Sequence, residues 1–439
     1  MKLPNPLASK VGRLSAFFAL YMTEGIPLGF TATAIATQMR REGLGPAEIG
    51  AFVGSLYLPW SFKWLAGPFV DVISSDRWGR RRAWIIATQI LMVLALLVAM
   101  PVNFSTQLTV FTIIIFVHNA LCATQDVAID ALACNVLQPG ERGLANGLMF
   151  AGASLGQVLG GSAVLYLLNV MSFSTTYLFV AATILSVTVF VAMPMREPKG
   201  PPRPSKKGDV VGATIREIVG FVKTAFSAVF LNRTAFLGLL FAILPAGAYG
   251  LGLALQSNLA VELGMTDTGI ANLNVVTAVI NGTGCVLGGW LSDKFGRRRM
   301  LAIYVTSMSV PTLYLAWAMQ QHGWIMPVDV SVATRPASAA VLIGVFWGTA
   351  IVYNFCNGLM YGTRSALFMD ITTPAVAATQ FTAYMACLNL VISYSAVWQG
   401  LSIERFGYPM TLLFDGIAGI VGLALLPFMT LRKHEAGGG

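Results

Sequence analysis

The sequence predicts an all-α membrane protein with twelve transmembrane helices in two pseudo-symmetric six-helix bundles. Three observations carry this. Of the 439 residues, 56% are hydrophobic and only 11% charged, and mean hydropathy is +0.71; a soluble domain carries about 25% charged residues. A short charged pattern occurs twice, first as Gly67-Pro68-Phe69-Val70-Asp71 with Asp76-Arg77-Trp78-Gly79-Arg80-Arg81, then as Gly289-Trp290-Leu291-Ser292-Asp293-Lys294-Phe295-Gly296-Arg297-Arg298. Asp293 follows Asp71 by 222 residues, about half the chain, as an internal repeat would. Between the two halves lies a Pro-rich basic stretch, from Arg196 to Lys207, unlike anything else in the chain.

A membrane helix needs about 20 mainly apolar residues. Twelve such runs are readable, at 13–38, 47–72, 83–101, 107–133, 143–168, 173–195, 231–259, 267–291, 299–320, 338–368, 374–400 and 407–431. They are called spans one to twelve below. The residues before span one offer no small-residue cleavage site, so a retained first helix is expected rather than a signal peptide. Residues 1–195 are expected to form the first bundle, 196–230 a cytoplasmic linker and 231–439 the second bundle. Within the linker, residues 209–230 predict an interfacial amphipathic helix with Arg216, Glu217 and Lys223 on its wet side. Ala131-Leu132 in span four recurs as Ala366-Leu367 in span ten, an offset of 235, which extends the repeat beyond the loops.

The net charge of +9 would suggest nucleic acid in a soluble chain. Here the cations cluster in short loops and report topology instead. Arg77, Arg80, Arg81, Arg82, the linker cations, and Lys294 with Arg297, Arg298 and Arg299 all fall on one side of a twelve-span chain. That side is expected to be cytoplasmic and to hold both termini. The opposite side carries only Arg40, Arg41, Arg335 and Arg405. The cysteines, Cys122, Cys134, Cys285, Cys356 and Cys387, lie in apolar runs without zinc-ligand spacing. No metal or cofactor is expected. No G-x-x-x-x-G-K-[ST] phosphate loop is present, and no nucleophile–base set is readable, so neither an enzyme nor an ATP-driven pump is expected.

A charge inside the hydrocarbon costs several kcal/mol, about 2.5–3.5 on insertion scales, and needs a partner or a wet cavity. Glu24 lies mid-span in Thr23-Glu24-Gly25-Ile26-Pro27, where Gly25 and Pro27 weaken the helix. It reads as a proton or substrate site or as an ion-pair partner of Lys63. In span four, His118, Asn119, Cys122, Gln125, Asp126 and Asp130 share an arc of about 140° at 100° per residue. Asp126 is the deeper carboxylate and the first choice for proton coupling. Asp130 suits a gating salt bridge with Arg80, Arg81 or Arg82. His118 is a possible proton carrier, since an imidazole ordinarily titrates near neutrality, but a packed, hydrogen-bonded histidine is the simpler reading.

Span ten carries Tyr353, Asn354, Asn357, Tyr361 and Arg364. By the repeat, Tyr361 corresponds to Asp126 and Arg364 to Ile129. Arg364 suits a carboxylate or phosphate, which a guanidinium grips with two donors; equally it suits an ion pair closing a gate. Asp71 and Asp293, with Arg80, Arg81, Arg297 and Arg298, are expected to act as conformational latches. Asn272, Asn274, Asn281, Gln380, Tyr384 and Asn389 can bind a polar solute or tie helices together.

The G-x-L-S-D-K-x-G-R-R loop resembles the loop signature of the major facilitator superfamily. Within it, Gly25-Ile26-Pro27-Leu28-Gly29, Leu58-Pro59-Trp60-Ser61-Phe62-Lys63, Gly79-Arg80-Arg81-Arg82-Ala83-Trp84 and Ala123-Thr124-Gln125-Asp126-Val127-Ala128-Ile129-Asp130 resemble the peptide–acetyl-CoA transporter family. That family includes AmpG-type muropeptide permeases and acetyl-CoA transporters. Siderophore importers share much of the pattern. The resemblance implies the major facilitator fold and places Lys63, Gln125, Asp126 and Asp130 on family motif positions. Some AmpG-type permeases have fourteen helices, whereas this chain has room for twelve. The expectation is a secondary transporter, a proton-coupled symporter working by alternating access, that imports a bulky anionic solute such as a muropeptide across a bacterial inner membrane as a monomer. The alternatives are an acyl-CoA or siderophore transporter, a drug or metabolite exporter, and, from another class, a membrane receptor, which would ordinarily add a soluble domain.

Overall fold

The computed structural model describes residues 4–72, 79–138, 142–197, 210–230, 233–252, 254–330, 336–371 and 377–429. Outside them lie Arg77, Arg335 and the centre of the linker, as do the side chains of Asp71 and Asp293, two of the expected latches.

Span one starts at Ser9, whose Oγ accepts the Gly12 N–H at 3.1 Å and so satisfies an orphan donor of the first turn. The helix Lys10–Gly29 continues through a wider turn, Phe30–Ile35, into Ala36–Arg41. The widening follows Pro27, which has no N–H to give to the preceding turn. Span two is Pro46–Ser61, a tight turn at Lys63–Leu65, and Ala66–Val72. Spans three to six are Arg80–Ala99, Leu108–Val136, Arg142–Val158 extended to Leu167, and Phe173–Val187 extended to Ala192. The linker contributes the helix Val210–Phe230, on which Arg216 and Lys223 are exposed. Spans eight to ten are Asp267–Phe295, Arg297–Gln321 and Ser338–Ile371. Spans eleven and twelve run together as Ala377–Val421, kinked at Gly407 where φ is 80°.

Span seven differs from the expectation of one continuous helix. It is two pieces, Arg233–Ile243 and Ala254–Glu262, and residues 244–252 between them are irregular. The local sequence explains the break. Pro245, Gly247, Gly250 and Gly252 fall within eight residues, and each either removes a helical donor or weakens the helix.

Among the described residues, eight helices are long and apolar enough to cross a membrane, the last covering spans eleven and twelve. Spans one, two and seven fall outside this set.

The second glycines of the two loop motifs have the same backbone conformation. Gly79 and Gly296 each precede the first residue of a helix, with φ of 89° and 93° and ψ of 139° and 124°. Side-chain-bearing residues are strained there, so the motif glycine is fixed by conformation. Gly79 has no side chain to cap the helix it starts. Glu197, just after span six, does so instead: its Oε1 accepts the Arg81 N–H at 2.9 Å and the Arg82 N–H. A carboxylate at a helix N-terminus also complements the helix dipole.

The chain divides into two compact units. Unit one gathers residues 1–44, 55–219 and 265–275, and unit two gathers 45–54, 220–264 and 276–439. In unit one, Phe17 and Leu20 of span one, Ile85 of span three, and Ile129 and Leu132 of span four form a fully buried core. Leu91, Leu94 and Val98 of span three point outward and are exposed, as suits a lipid-facing surface. Unit one also ties down the start of span eight. Arg41 donates from Nε to Asp267 Oδ1 and from Nη2 to the Met265 carbonyl, both at 2.9 Å. In unit two, Ser393 Oγ donates to the Gly54 carbonyl at 2.7 Å.

Candidate functional site

The ionisable residues singled out in spans one, two and four come together in unit one. Lys63 Nζ lies 2.6 Å from Asp126 Oδ2. The Asp126 side chain is 2% exposed and that of Lys63 28%, so this is a half-buried ion pair with the carboxylate on its inner side. Lys63 occupies the turn where span two loses its helix, which frees the side chain to reach across to span four. Of the two readings of Glu24, the ion pair with Lys63 is therefore not the one formed: Lys63 pairs with Asp126. Glu24 sits within the field of Asp126, Lys63 and Asp130, and its Oε2 is buried without a hydrogen-bond partner. Asp130 accepts a hydrogen bond from the Tyr21 hydroxyl, where a partner among Arg80 to Arg82 was expected. Three carboxyl groups thus share one lysine.

A polar scaffold stands beside the cluster. Thr23 Oγ1 accepts from Gln125 Nε2 at 2.8 Å and from Gln89 Nε2 at 3.1 Å. Thr188 Oγ1 donates to Gln89 Oε1 at 2.7 Å. Spans one, three, four and six are joined by this chain of bonds, which fixes the helix carrying Glu24. Gln125, on the polar arc of span four, gives its amide N–H to this scaffold. His118 bonds through Nδ1 to the Met92 carbonyl at 2.9 Å, and its Nε2 is buried without a partner. The first contact is a packing interaction between spans three and four.

The arginines of the loop motifs hold backbone. Arg81 Nη1 donates to the Val70 carbonyl at 2.6 Å. Arg297 Nη1 donates to the Ala366 carbonyl at 3.0 Å and pairs with Asp370 Oδ1 at 2.6 Å. The first joins the start of span three to the end of span two, the second the start of span nine to the end of span ten. Arg80 is half-buried, and Arg298 Nε is buried without a partner.

Arg364 is in unit two, 2% exposed. Its Nη1 donates to the Tyr249 hydroxyl at 3.3 Å. Its guanidinium carbon lies 6.0 Å from the Tyr361 ring centroid, the outer limit of a cation–π contact. Its Nε is buried without a partner. No carboxylate lies within ion-pair distance of it among the described residues.

A match to the model of the Major Facilitator Superfamily runs over residues 14–396. The chain belongs to the major facilitator superfamily. Its membrane spans are those of a multi-pass transporter fold, and solved members agree. The inward-open xylose transporter XylE from E. coli superposes with a TM-score of 0.69 at 13% identity, covering 97% of this chain and 98% of that one. A POT-family transporter in complex with a thioalcohol-conjugated peptide gives 0.68 at 11%, covering 95% and 96%. Among curated proteins, the chain is similar to the anhydromuropeptide permease of Escherichia coli K12, 25% identical over 429 residues, 94% of this chain and 79% of that protein. It is also similar to the transporter named AmpG 4 in Rickettsia conorii, 24% identical over 439 residues, 96% of this chain and 97% of that protein. The twelve-span, AmpG-like transporter expected from the motifs is what these likenesses support.

Sequence reasoning missed Gln89 and Thr188 of the scaffold, and it missed Asp415. Asp415, in span twelve, is buried and accepts three hydrogen bonds, from Tyr249 N, Gly250 N and Gln399 Nε2. The rule that flagged Glu24, a carboxylate inside an apolar span, applies equally to Asp415.

Proposed function

We propose that this protein is a proton-coupled symporter that imports a bulky anionic solute, an anhydromuropeptide, across a bacterial inner membrane with both termini cytoplasmic. The observation that carries the coupling is the orphaned Oε2 of Glu24 beside Asp126, Asp130 and the single Lys63. Lys63 neutralises one carboxylate, and it is committed to Asp126 at 2.6 Å. Glu24 shares a side-chain hydrogen bond with Asp126, and a second negative charge buried against that carboxylate is costly, so Glu24 is where a proton belongs. Asp126 then serves as the partner that fixes Lys63. The Tyr21 hydroxyl supports Asp130 in the same way.

In this reading a proton on Glu24 and a solute are carried together. The solute class follows from the similarity to an anhydromuropeptide permease and from Arg364, a buried guanidinium with an unused donor. A muropeptide carries carboxylates of the kind an arginine grips.

The test is uptake of labelled anhydromuropeptide into proteoliposomes under an imposed proton gradient. Glu24→Gln is expected to abolish uphill accumulation while counterflow exchange persists. Uphill accumulation at the wild-type level in Glu24→Gln would remove Glu24 as the proton site. A wild type that transports no muropeptide would remove the solute assignment.

A further inference from the structure

The break in span seven leaves backbone groups that a helix would have satisfied, and in a membrane they must find partners within the protein. The neighbouring helices of unit two supply them. Gly247 N donates to the Gly419 carbonyl at 2.9 Å. Tyr353 Oη donates to the Ala248 carbonyl at 2.8 Å. Tyr249 N and Gly250 N both donate to Asp415 Oδ2, at 2.8 and 2.6 Å. Two consecutive N–H groups converging on one anionic oxygen form a small anion nest. Asp415 Oδ1 is held in turn by Gln399 Nε2 at 2.8 Å.

Asp415 and Gly419 are one helical turn apart on span twelve and both face the break. A Cβ on Gly419 would lie 2.3 Å from the Gly247 carbonyl carbon, so span twelve approaches the broken stretch at backbone distance. The residue gripped most closely is Tyr249. Its N–H goes to Asp415, and its hydroxyl accepts the hydrogen bond from Arg364 Nη1. Arg364 reaches no carboxylate among the described residues, and its Nε is buried and unpartnered. An unsatisfied buried donor on a permanent cation calls for an anion.

We propose that Asp415 is a positioning residue for an anion site at the span-seven break, a backbone clamp that sets Tyr249 so that Arg364 offers its free Nε to a carboxylate or phosphate of the solute. This rests on the reading of the protein as a carrier of anionic solutes. In the clamp, Asp415 acts as a hydrogen-bond acceptor for backbone rather than as a charge.

That distinction makes the clamp testable, because Gln399 Oε1 is buried and unpartnered. In Asp415→Asn, the asparagine oxygen can accept both backbone N–H groups. The Gln399 amide can rotate so that its Oε1 accepts from the new amide nitrogen. Every hydrogen bond is replaced and the charge is gone. In Asp415→Ala the two backbone donors lose their acceptor.

The experiment uses the full chain in lipid nanodiscs, with hydrogen–deuterium exchange at Tyr249 and Gly250 and binding of radiolabelled anhydromuropeptide as probe. Asp415→Ala is expected to raise exchange at both amides and to weaken the probe about tenfold or more, the effect of one lost charged hydrogen bond. Asp415→Asn is expected to rescue both, with protection retained and affinity within about threefold of wild type. Unchanged exchange in Asp415→Ala overturns the clamp. Raised exchange with unchanged affinity overturns its role in the anion site. Equal loss of affinity in both variants, with protection kept in Asp415→Asn, makes Asp415 a charge and overturns the acceptor role. If the wild type fails to bind the probe, the solute reading falls, and the clamp stands or falls on the exchange pattern.

Discussion

Lys63 and Asp126 form a half-buried pair at 2.6 Å, so losing one partner strands the other. Lys63→Ala, which strands the buried carboxylate, is expected to destabilise the protein by about 3–5 kcal/mol, and Asp126→Ala, which leaves a partly exposed lysine, by less. Replacing both at once, Lys63→Met with Asp126→Leu, should recover much of that, because no uncompensated charge remains. Thermal unfolding of the purified variants measures this; a double variant as unstable as the worse single one would contradict the pair. Arg364 makes a different prediction. Arg364→Lys keeps the charge but loses the planar fork, and is expected to weaken binding of an anionic solute by about 1.5–3 kcal/mol. If it binds as wild type but transports slowly, Arg364 serves the conformational change instead. At this scale the residue types were legible and their partners were not. Glu24, Lys63, Asp126 and Asp130 are conspicuous in apolar runs, but which carboxylate meets Lys63 depends on where span two loses its helix. Asp130 likewise goes to Tyr21 on span one rather than to the arginines nearby in the loop. Such choices between spans are made by packing, and spacing along one chain does not encode them.

Close helix contact is the corresponding determinant at the level of elements. Spans one and five approach at backbone distance through small residues: a Cβ on Gly156 would lie 2.2 Å from the Met22 carbonyl oxygen, and one on Gly25 1.9 Å from that of Ala153. Small residues permit this approach where no hydrophobic force drives helices together. Gly156→Ala is expected to cost about 1–3 kcal/mol as overpacking against rigid backbone. Gly348→Ala in span ten, where the added carbon meets nothing within 4 Å, should leave the unfolding temperature unchanged or raise it slightly, since alanine is the better helix former, and is the control. Equal effects of the two would remove the close-contact argument. The loop glycines constrain through conformation instead. Gly296→Ala forces a side chain into φ of 93° and should cost about 1–3 kcal/mol of backbone strain. The helices themselves were legible from apolar run length and turn residues. The break in span seven was only half so: Pro245, Gly247, Gly250 and Gly252 announce it, yet the run is apolar enough to pass as continuous. Its stability is supplied by Asp415, Tyr353 and Gly419, which lie more than a hundred residues further on.

The fold of the whole chain was readable because three signals agree, the apolar runs, the repeated loop and the mid-chain linker. The count of crossings is where the broken helix matters. Between Gly212 and Gly323 the chain holds spans seven, eight and nine. Among the described residues there, only eight and nine, Asp267–Phe295 and Arg297–Gln321, are uninterrupted helices both long and apolar enough to cross. If span seven crosses despite its break, three crossings separate the two points and they face opposite sides of the membrane. If the broken stretch turns back, two crossings separate them and they face the same side. The backbone bonding favours crossing, because the groups freed at Gly247, Ala248, Tyr249 and Gly250 are satisfied by spans ten and twelve and need no water. The distribution of Lys and Arg sets the direction: the linker is rich in both, while the stretch after Gln321 has few. Reporter fusions truncated after Gly212 and after Gly323 are therefore expected to report the cytoplasmic and the opposite side. Signals from one side at both positions would mean that span seven does not cross, and the twelve-span count would fall with it.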